Sequence, residues 1–317
     1  GNVPAQQETD DAGRQAKPIY NHFVMQAKAL EPKYISMIIP SRWFAGGMGL
    51  DTFRENMKID RSIRKIVDFT NAKDCFPTAS ISGGVMYFLW NRDRQGLCNF
   101  KNITNGYSDE KERLLDEYPV VVRYNKAETI INKVRSFNEK CITDIISSLM
   151  PFGLSTNVRG ETNQIDGYYK LYASNGVTYI DPKQITKGEE YVGSYKVLVS
   201  KTSAEHAGEP SKDGKFRVIP TSMKVIGPEE VCTHSYFLIG NYDNKETAQN
   251  LLEYLKTPFV RFLVLMSLSG FGLSKLAFGF VPMQDFSIEW NSNMLYDKYS
   301  LTKEEVEFIE SMIKPFE

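Results

Sequence analysis

The chain has 317 residues, of which 42% are hydrophobic and 24% are charged, and its formal net charge is −1. These values are typical of folded globular proteins and exclude a mainly disordered or collagen-like chain. The length predicts two domains rather than one.

Membrane and metal roles are also disfavoured. The longest apolar stretch, residues 259–271, is interrupted by Arg261 and by serines. It falls short of the roughly 20 residues that a membrane span needs. The four cysteines form no CxxC pair and no His/Cys cluster with zinc spacing. We therefore predict a cytoplasmic protein with no membrane partner, with reduced thiols and with no metal site.

The first part of the chain alternates between helical and extended patterns. The predicted helices cover residues 18–30, 49–59 and 127–134, and the predicted strands cover residues 34–40, 64–69, 84–90 and 119–123. This order is typical of half an α/β sheet. We place the junction to a second domain near residue 140.

The second part is richer in glycine, tyrosine and short alternating runs. Strands are predicted at residues 168–172, 177–180, 195–199 and 236–239. Residues 245–271 are predicted to form one long helix or two helices broken at Thr257-Pro258, and Thr302 with Glu305 predicts a capping box. A mainly β domain with helices at its C-terminal end follows from this pattern.

Ordered motifs run along almost the whole chain. They are Ala16–Phe23 (AKPIYNHF), Ile38–Gly47 (IIPSRWFAGG), Asp74–Pro77 (DCFP), Gly83–Trp90 (GGVMYFLW), Pro151–Thr156 (PFGLST), Lys256–Phe262 (KTPFVRF) and Val281–Phe286 (VPMQDF). Together they resemble the adenine-N6 DNA methyltransferases of bacterial restriction-modification systems, of type II or IIG.

The resemblance implies a fold and an activity. Residues 1–140 would be the C-terminal part of a Rossmann-like class I methyltransferase domain, which is α/β. Residues 141–317 would be an α+β, mainly β, target-recognition domain. The implied activity is methyl transfer from S-adenosylmethionine to adenine N6 in double-stranded DNA, and a fused endonuclease occurs in some relatives.

The family's hallmark is an Asn-Pro-Pro-Tyr motif that follows a glycine and holds a flipped adenine. The matching residues here are Gly1-Asn2-Val3-Pro4-Ala5. Asn2 and Pro4 fit the motif, whereas Val3 and Ala5 depart from it. Related enzymes also place a stacking aromatic at the position of Phe76, for which core packing is the alternative.

The family binds S-adenosylmethionine through residues that precede this motif. The resemblance therefore predicts that the isolated chain binds the cofactor weakly and is inactive. Its expected partners are double-stranded DNA and either its own N-terminal half or a restriction subunit.

Several residues are candidates for DNA contact. Two of them, Arg42 and Trp43, follow a predicted strand, although Trp43 also suits a core. The others are Asn157, Arg159, Lys201, Thr202, Lys212, Lys215 and Arg217. The last three lie in a predicted loop, residues 203–217. Its acidic residues reduce its positive charge, so a solvent-exposed loop that does not contact DNA is the alternative.

Alternative interpretations remain for the histidines, for a group of tyrosines and for the activity of the chain. His22 and His234 have no partner in sequence that indicates a nucleophile or a metal, and we predict structural roles for both. The four tyrosines between Tyr168 and Tyr179 are candidates for stacking on bases, although tyrosine is also common in strands, and we favour the structural role. The departures at Val3 and Ala5 keep two alternatives to an enzyme: a non-catalytic DNA-binding specificity module, and an inactive remnant.

Overall fold

The computed structural model describes residues 1–4, 17–45, 47, 49–78, 81–202, 208, 210–268 and 272–316. These residues form two compact units. Unit 1 comprises the described residues of Gly1–Ile130, Gly208–Gly214 and Met266–Phe271, and unit 2 comprises the others. The main division thus falls at Ile130, whereas the domain junction near residue 140 stays a prediction.

Unit 1 contains a five-stranded mixed sheet. Its elements are α1 (Tyr20–Ala29), β1 (Tyr34–Pro40), α2 (Asp51–Ile59), β2 (Ile63–Phe69), β3 (Val85–Asn91), β4 (Cys98–Thr104), β5 (Tyr107–Arg113) and the beginning of α3 (Ala127–Ser136). The strand order is β1-β3-β2-β4-β5. Because β1 and β2 are both antiparallel to β3, they are parallel to each other. β4 is parallel to β2, and β5 is antiparallel to β4.

One face of this sheet carries the core of unit 1. Met86, Phe88 and Trp90 alternate along β3 and are buried in the main hydrophobic cluster, together with residues of α1 and α2. Tyr87 and Leu89, which lie between them, are exposed. This is the inward-outward alternation that a strand with one packed face requires.

Residues 119–123 do not form the predicted strand. Their backbone groups bond to the short 3-10 helix after β1 and to side chains instead: the N–H of Val121 donates to Phe44 O at 2.9 Å, and the Arg113 guanidinium donates to Val122 O at 2.9 Å. Val121 and Val122 are buried. The apolar run that suggested a strand is therefore a buried irregular segment.

Unit 2 contains two three-stranded sheets and most of the helices. Its strands are β6 (Tyr169–Ala173), β7 (Gly176–Ile180), β8 (Tyr195–Ser200), β9 (Lys224–Ile226), β10 (Glu230–Cys232) and β11 (Tyr236–Tyr242). The sheets have the orders β10-β6-β7 and β11-β8-β9. Its helices after α3 are α4 (Glu189–Val192), α5 (Lys245–Lys256), α6 (Pro258–Leu265), α7 (Ser292–Lys298) and α8 (Lys303–Met312). The described residues thus form a protein of mixed α-helices and β-strands, which confirms the predicted fold class but not its Rossmann-like detail.

Two local predictions about the helices of unit 2 are confirmed. Thr257 separates α5 from α6, and its hydroxyl accepts a hydrogen bond from the N–H of Val260 at 3.3 Å. Thr302 and Glu305 form a reciprocal capping box at the start of α8. Among the helices that the structure describes, none is long and apolar enough to cross a membrane.

Candidate functional site

The motif residues Asn2 and Pro4 lie beside β1. Asn2 forms a parallel bridge with Ile38, and the N–H of Ile38 donates to Gly1 O at 3.0 Å. Val3 packs against the core of unit 1, whereas Asn2 and Pro4 are exposed. Because side chains alternate along an extended segment, the two motif residues face away from that core. Ala5 lies outside the described residues.

Phe76 follows the carboxyl end of β2, and Asn2 and Pro4 lie toward the carboxyl end of β1. Since the two strands are parallel, these candidates belong to the same edge of the sheet. Ligand sites of α/β sheets form at this kind of edge. Phe76 is half-buried, and its N–H donates to Ala72 O at 2.8 Å. Its ring is therefore partly accessible in a short ordered turn.

A buried ion pair lies at this edge. Arg123 makes two hydrogen bonds of 2.8 Å to the Asp68 carboxylate, which has no exposed surface. Ser41 and Asn102 donate to the same carboxylate at 2.6 and 2.8 Å. Arg123 also donates to Gly83 O at 2.9 Å. The cluster ties together the segment after β1, strands β2 and β4, and the glycine pair before β3.

Gly84 permits this close packing. Its φ is +80°, a left-handed conformation that suits glycine. A Cβ there would lie 2.1 Å from Phe69 O and 2.7 Å from a guanidinium nitrogen of Arg123. A glycine is therefore required where the chain enters β3.

Arg42 and Trp43 correct the sequence analysis. Trp43 is fully buried among Phe44 and Phe53. Arg42 is buried too, and burial lowers the pKa of its guanidinium while the charge interaction with Tyr20 opposes that shift. Direct contact of these side chains with DNA would require the core to open. We therefore assign both residues to packing.

Unit 2 contains a polar pocket of about 390 Å³. Segments that are distant in sequence form it: the loop after Leu154, the turn between β6 and β7, the end of β8 and the start of β11. Its lining residues all carry a hydroxyl, amino or imidazole group, and they are Thr156, Ser174, Ser200, Lys201, Thr202, His234, Ser235 and Tyr236. The pocket thus brings Lys201 and Thr202 close to Thr156, which adjoins Asn157.

The backbone around this pocket is tightly bonded. Lys201 donates its N–H to Ser235 O at 3.0 Å and accepts at its carbonyl from the N–H of Leu273 at 3.0 Å. A Cβ on Gly272 would lie 2.0 Å from that carbonyl oxygen. His234 donates its N–H to Leu154 O at 2.8 Å. The lining side chains therefore project from a fixed frame.

Two side chains with nitrogen groups, Lys201 and His234, line the pocket. The Lys201 ammonium group is buried and makes no hydrogen bond to any residue that the structure describes. Burial lowers its pKa, and the Cys232 thiol opposes that shift. Burial and the charge of Lys201 both lower the pKa of His234. The ring of His234 lies 3.4 Å from the Thr156 hydroxyl.

The remaining DNA-binding candidates are not among the residues that line the pocket. Asn157 and Arg159 are exposed, and Arg159 donates to the carbonyl of Thr156 at 2.7 Å. Lys212 is exposed in unit 1, whereas Lys215 in unit 2 donates to Glu310 O at 3.0 Å. Arg217 is half-buried in unit 2. Residues 203–207 and 209 of the predicted loop lie outside the described residues.

Comparison with known proteins finds a family similarity in the amino-terminal part of the chain. Residues 3–76 match the family model described as Eco57I restriction-modification methylase. An uncharacterized adenine-specific methylase of Mycoplasma pneumoniae (strain ATCC 29342 / M129 / Subtype 1) is 36% identical over 138 residues. The resemblance to adenine-specific restriction-modification methyltransferases is confirmed. The aligned region covers 42% of this chain, and the chain spans about a third (33%) of the length of that relative.

Two solved structures of restriction-modification enzymes show only distant likeness. The type IIG restriction endonuclease BpuSI has 9% identity and a TM-score of 0.30, with coverage of 88% of this chain and 47% of BpuSI. The type IIL restriction-modification enzyme MmeI, in complex with DNA, has 8% identity and a TM-score of 0.37, with coverage of 80% and 39%. TM-scores this low do not define the fold.

Sequence reasoning missed the pocket. We assigned a structural role to His234, yet it lines a polar cavity beside Lys201. The local signal was the polar run Thr233-His234-Ser235 between two strands, which is typical of a functional loop. Ser174 and Tyr236 carried no such signal.

Proposed function

We propose that this chain is the adenine-holding and DNA-binding part of a site-specific DNA adenine-N6 methyltransferase from a restriction-modification system. One observation carries the proposal: the family match over residues 3–76 includes Pro4 and Ile38, the β1 residue that bridges Asn2, and it ends at Phe76. Double-stranded DNA is the proposed partner and the cytoplasm the proposed location.

Asn2 and Pro4 would orient the reacting group. The amino group of adenine is a poor nucleophile because its lone pair is delocalised into the ring, so the base must be flipped out and held. The Asn2 side chain and the Pro4 carbonyl would accept the two amino hydrogens. Since both residues are exposed at the edge of the sheet, they are accessible to a flipped base.

Phe76 would stack on the flipped base. The ring is half-buried, so one part is held by packing while another remains accessible. Base stacking on an aromatic ring contributes about 1 to 3 kcal/mol. This contribution is important here because Ala5 replaces the aromatic residue of the family motif.

The methyl group would come from S-adenosylmethionine, which supplies an electrophilic methyl. We assign no binding site for S-adenosylmethionine among the described residues at this edge of the sheet. The buried charged groups there, Asp68 and Arg123, already bond to each other. We therefore propose that cofactor binding depends on residues other than these, and that this chain alone binds S-adenosylmethionine weakly.

The sheet order supports a Rossmann-like assignment for unit 1. β1, α2 and β2 form a parallel strand-helix-strand unit, with β3 inserted between the strands. The parallel bridge of Asn2 adds one more parallel pairing outside β1. Unit 2 would be the target-recognition domain, with the polar pocket and the exposed Asn157 and Arg159 as its DNA-contacting residues.

Restoring the family motif tests the catalytic proposal. In a polypeptide that carries a cofactor-binding domain ahead of residue 1, Val3→Pro with Ala5→Tyr is expected to raise adenine methylation about 5- to 150-fold, the factor that 1 to 3 kcal/mol of stacking represents. The measurement is N6-methyladenine formed in a mixed pool of duplex DNA. Adding Asn2→Ala to the restored protein serves as the matched control and should abolish the gain.

A non-catalytic DNA-binding module is the second candidate. Val3 favours it, because this residue departs from the motif and packs against the core. Continued inactivity of the restored protein, combined with normal DNA binding, would favour this candidate over the enzyme.

A further inference from the structure

We infer that the polar pocket of unit 2 binds one phosphate group of the DNA backbone. This inference deepens the proposed DNA binding by unit 2 and rests on it for the source of the phosphate. The pocket itself is an observation about unit 2 alone, because all its lining residues belong to that unit.

The chemistry of the lining suits an oxyanion. Six of its side chains carry hydroxyl groups, two carry nitrogen groups, and no lining residue is acidic. Lysine, serine, threonine and tyrosine are common donors to DNA phosphates. A site for a cation or for a metal would need carboxylates here, and the lining has none.

Lys201 is the main reason to assign an anion. Its ammonium group is buried and makes no hydrogen bond to a described residue. An unpaired buried charge is costly, so a protein usually pairs it with an opposite charge. A phosphate group in the pocket would supply that charge, and lysine binds phosphate well as a point charge.

His234 reinforces this assignment. Its pKa is lowered by burial and by the charge of Lys201, so the two nitrogen groups repel each other when both are protonated. A phosphate between them would reverse that repulsion and would favour the protonated ring. The charges of the pocket therefore favour one bound anion, and its binding would raise the pKa of His234.

The frame of the pocket is built before any ligand arrives. The N–H and the carbonyl of Lys201 are both bonded, and Gly272 packs directly against that carbonyl. Preorganised donors lose little entropy on binding. The volume of about 390 Å³ exceeds that of one phosphate group, so adjoining sugar also fits.

Lys201→Met tests the inference through affinity and stability together. We expect duplex DNA to bind about tenfold more weakly, because a charge-assisted contact is lost. The slope of log affinity against log salt should fall by about 1, as for one lost phosphate contact. Stability to urea should be unchanged or higher, since a buried unpaired charge is removed. Lys183→Met, at an exposed lysine of unit 2, is the matched control and should alter neither property.

Two results would overturn the inference. One is Lys201→Met binding DNA with wild-type affinity and salt slope, which contradicts a phosphate contact while leaving DNA binding intact. The other is a loss of stability that accounts for the weaker binding, which would make Lys201 a structural residue.

Titration of His234 separates the two possible sources of phosphate. The chain has three histidines, and His234→Gln assigns the resonance of this ring in NMR spectra. Adding a short duplex should raise the pKa of His234 in the wild type and not in Lys201→Met. A response to inorganic phosphate without a response to duplex DNA would show an anion site and refute its DNA source. No response to either would refute the site.

Discussion

Replacing Asp68 by asparagine is expected to lower the free energy of unfolding of unit 1 by about 3 to 5 kcal/mol. Asparagine has almost the same shape as aspartate but carries no charge. The change would leave the Arg123 side chain, only 4% exposed, with an uncompensated charge in the core. It would also weaken the hydrogen bond that Ser41 donates to the carboxylate.

Urea denaturation followed by tryptophan fluorescence measures this loss, because Trp43 and Trp90 both lie in the core of unit 1. Asp74→Asn, at an exposed carboxylate after β2, is the matched control and should cost little. Asp68→Asn combined with Arg123→Met should be less destabilised than the sum of the single variants. If Asp68→Asn loses no more stability than the control, the buried pair does not hold this edge of the sheet.

The second large effect is a pH-dependent stability change from Lys196 in β8. This lysine has no exposed surface, and its ammonium group donates to Ser194 O at 3.0 Å and to Gly227 O at 2.7 Å. Burial lowers its pKa from 10.5 to about 8, with Glu230 and Cys232 opposing the shift. Between these values the unfolded chain holds a proton that the folded chain has released. Unfolding then takes up a proton, so the contribution of Lys196 to stability rises with pH from about 8 to about 10.5.

Comparing the wild type with Lys196→Met isolates this effect, since other titrating groups cancel in the difference. Below pH 8 the wild type carries the cost of a buried charge. The stability of Lys196→Met relative to the wild type should therefore fall by about 3 kcal/mol as pH rises across this range. Lys183→Met should follow the wild-type profile throughout. Parallel profiles for Lys196→Met and the wild type would show that the buried lysine does not titrate in this window.

The sequence predicted the elements that local signals define. β1 has an apolar run closed by a proline, the break before α6 has Thr257-Pro258, and α8 has its capping box. In each case the information lies within a few residues of the element. Local chemistry therefore sufficed for these parts of the fold.

Elements whose own residues carry no strand or helix pattern were missed. β5 is largely exposed and reads Tyr-Ser-Asp-Glu-Lys-Glu-Arg, so no apolar alternation marks it, and it forms only by pairing with β4. The turn Asn105-Gly106, with φ values of +52° and +80°, was the available signal for this hairpin. For residues 119–123 the sequence predicted a strand that does not form. Their apolar run is buried, but it has no partner strand.

The candidate site residues also divide into those that a local sequence motif marks and those that it does not. The family motifs made Asn2, Pro4 and Phe76 candidates, because each motif is a short contiguous segment, and their roles stay predictions. The pocket of unit 2 joins Thr156 to His234, which are 78 residues apart in the chain. No spacing in the sequence encodes that meeting, since it depends on how two small sheets are connected.

The most direct test of the account is DNA binding by the purified chain, measured at increasing salt with a mixed pool of duplexes and sequencing of the bound fraction. The account predicts enrichment of one short site that contains adenine, with affinity that falls steeply as salt rises. Absence of binding at low salt would contradict a DNA-binding role for unit 2. Binding without enrichment of any site would contradict its role in target recognition.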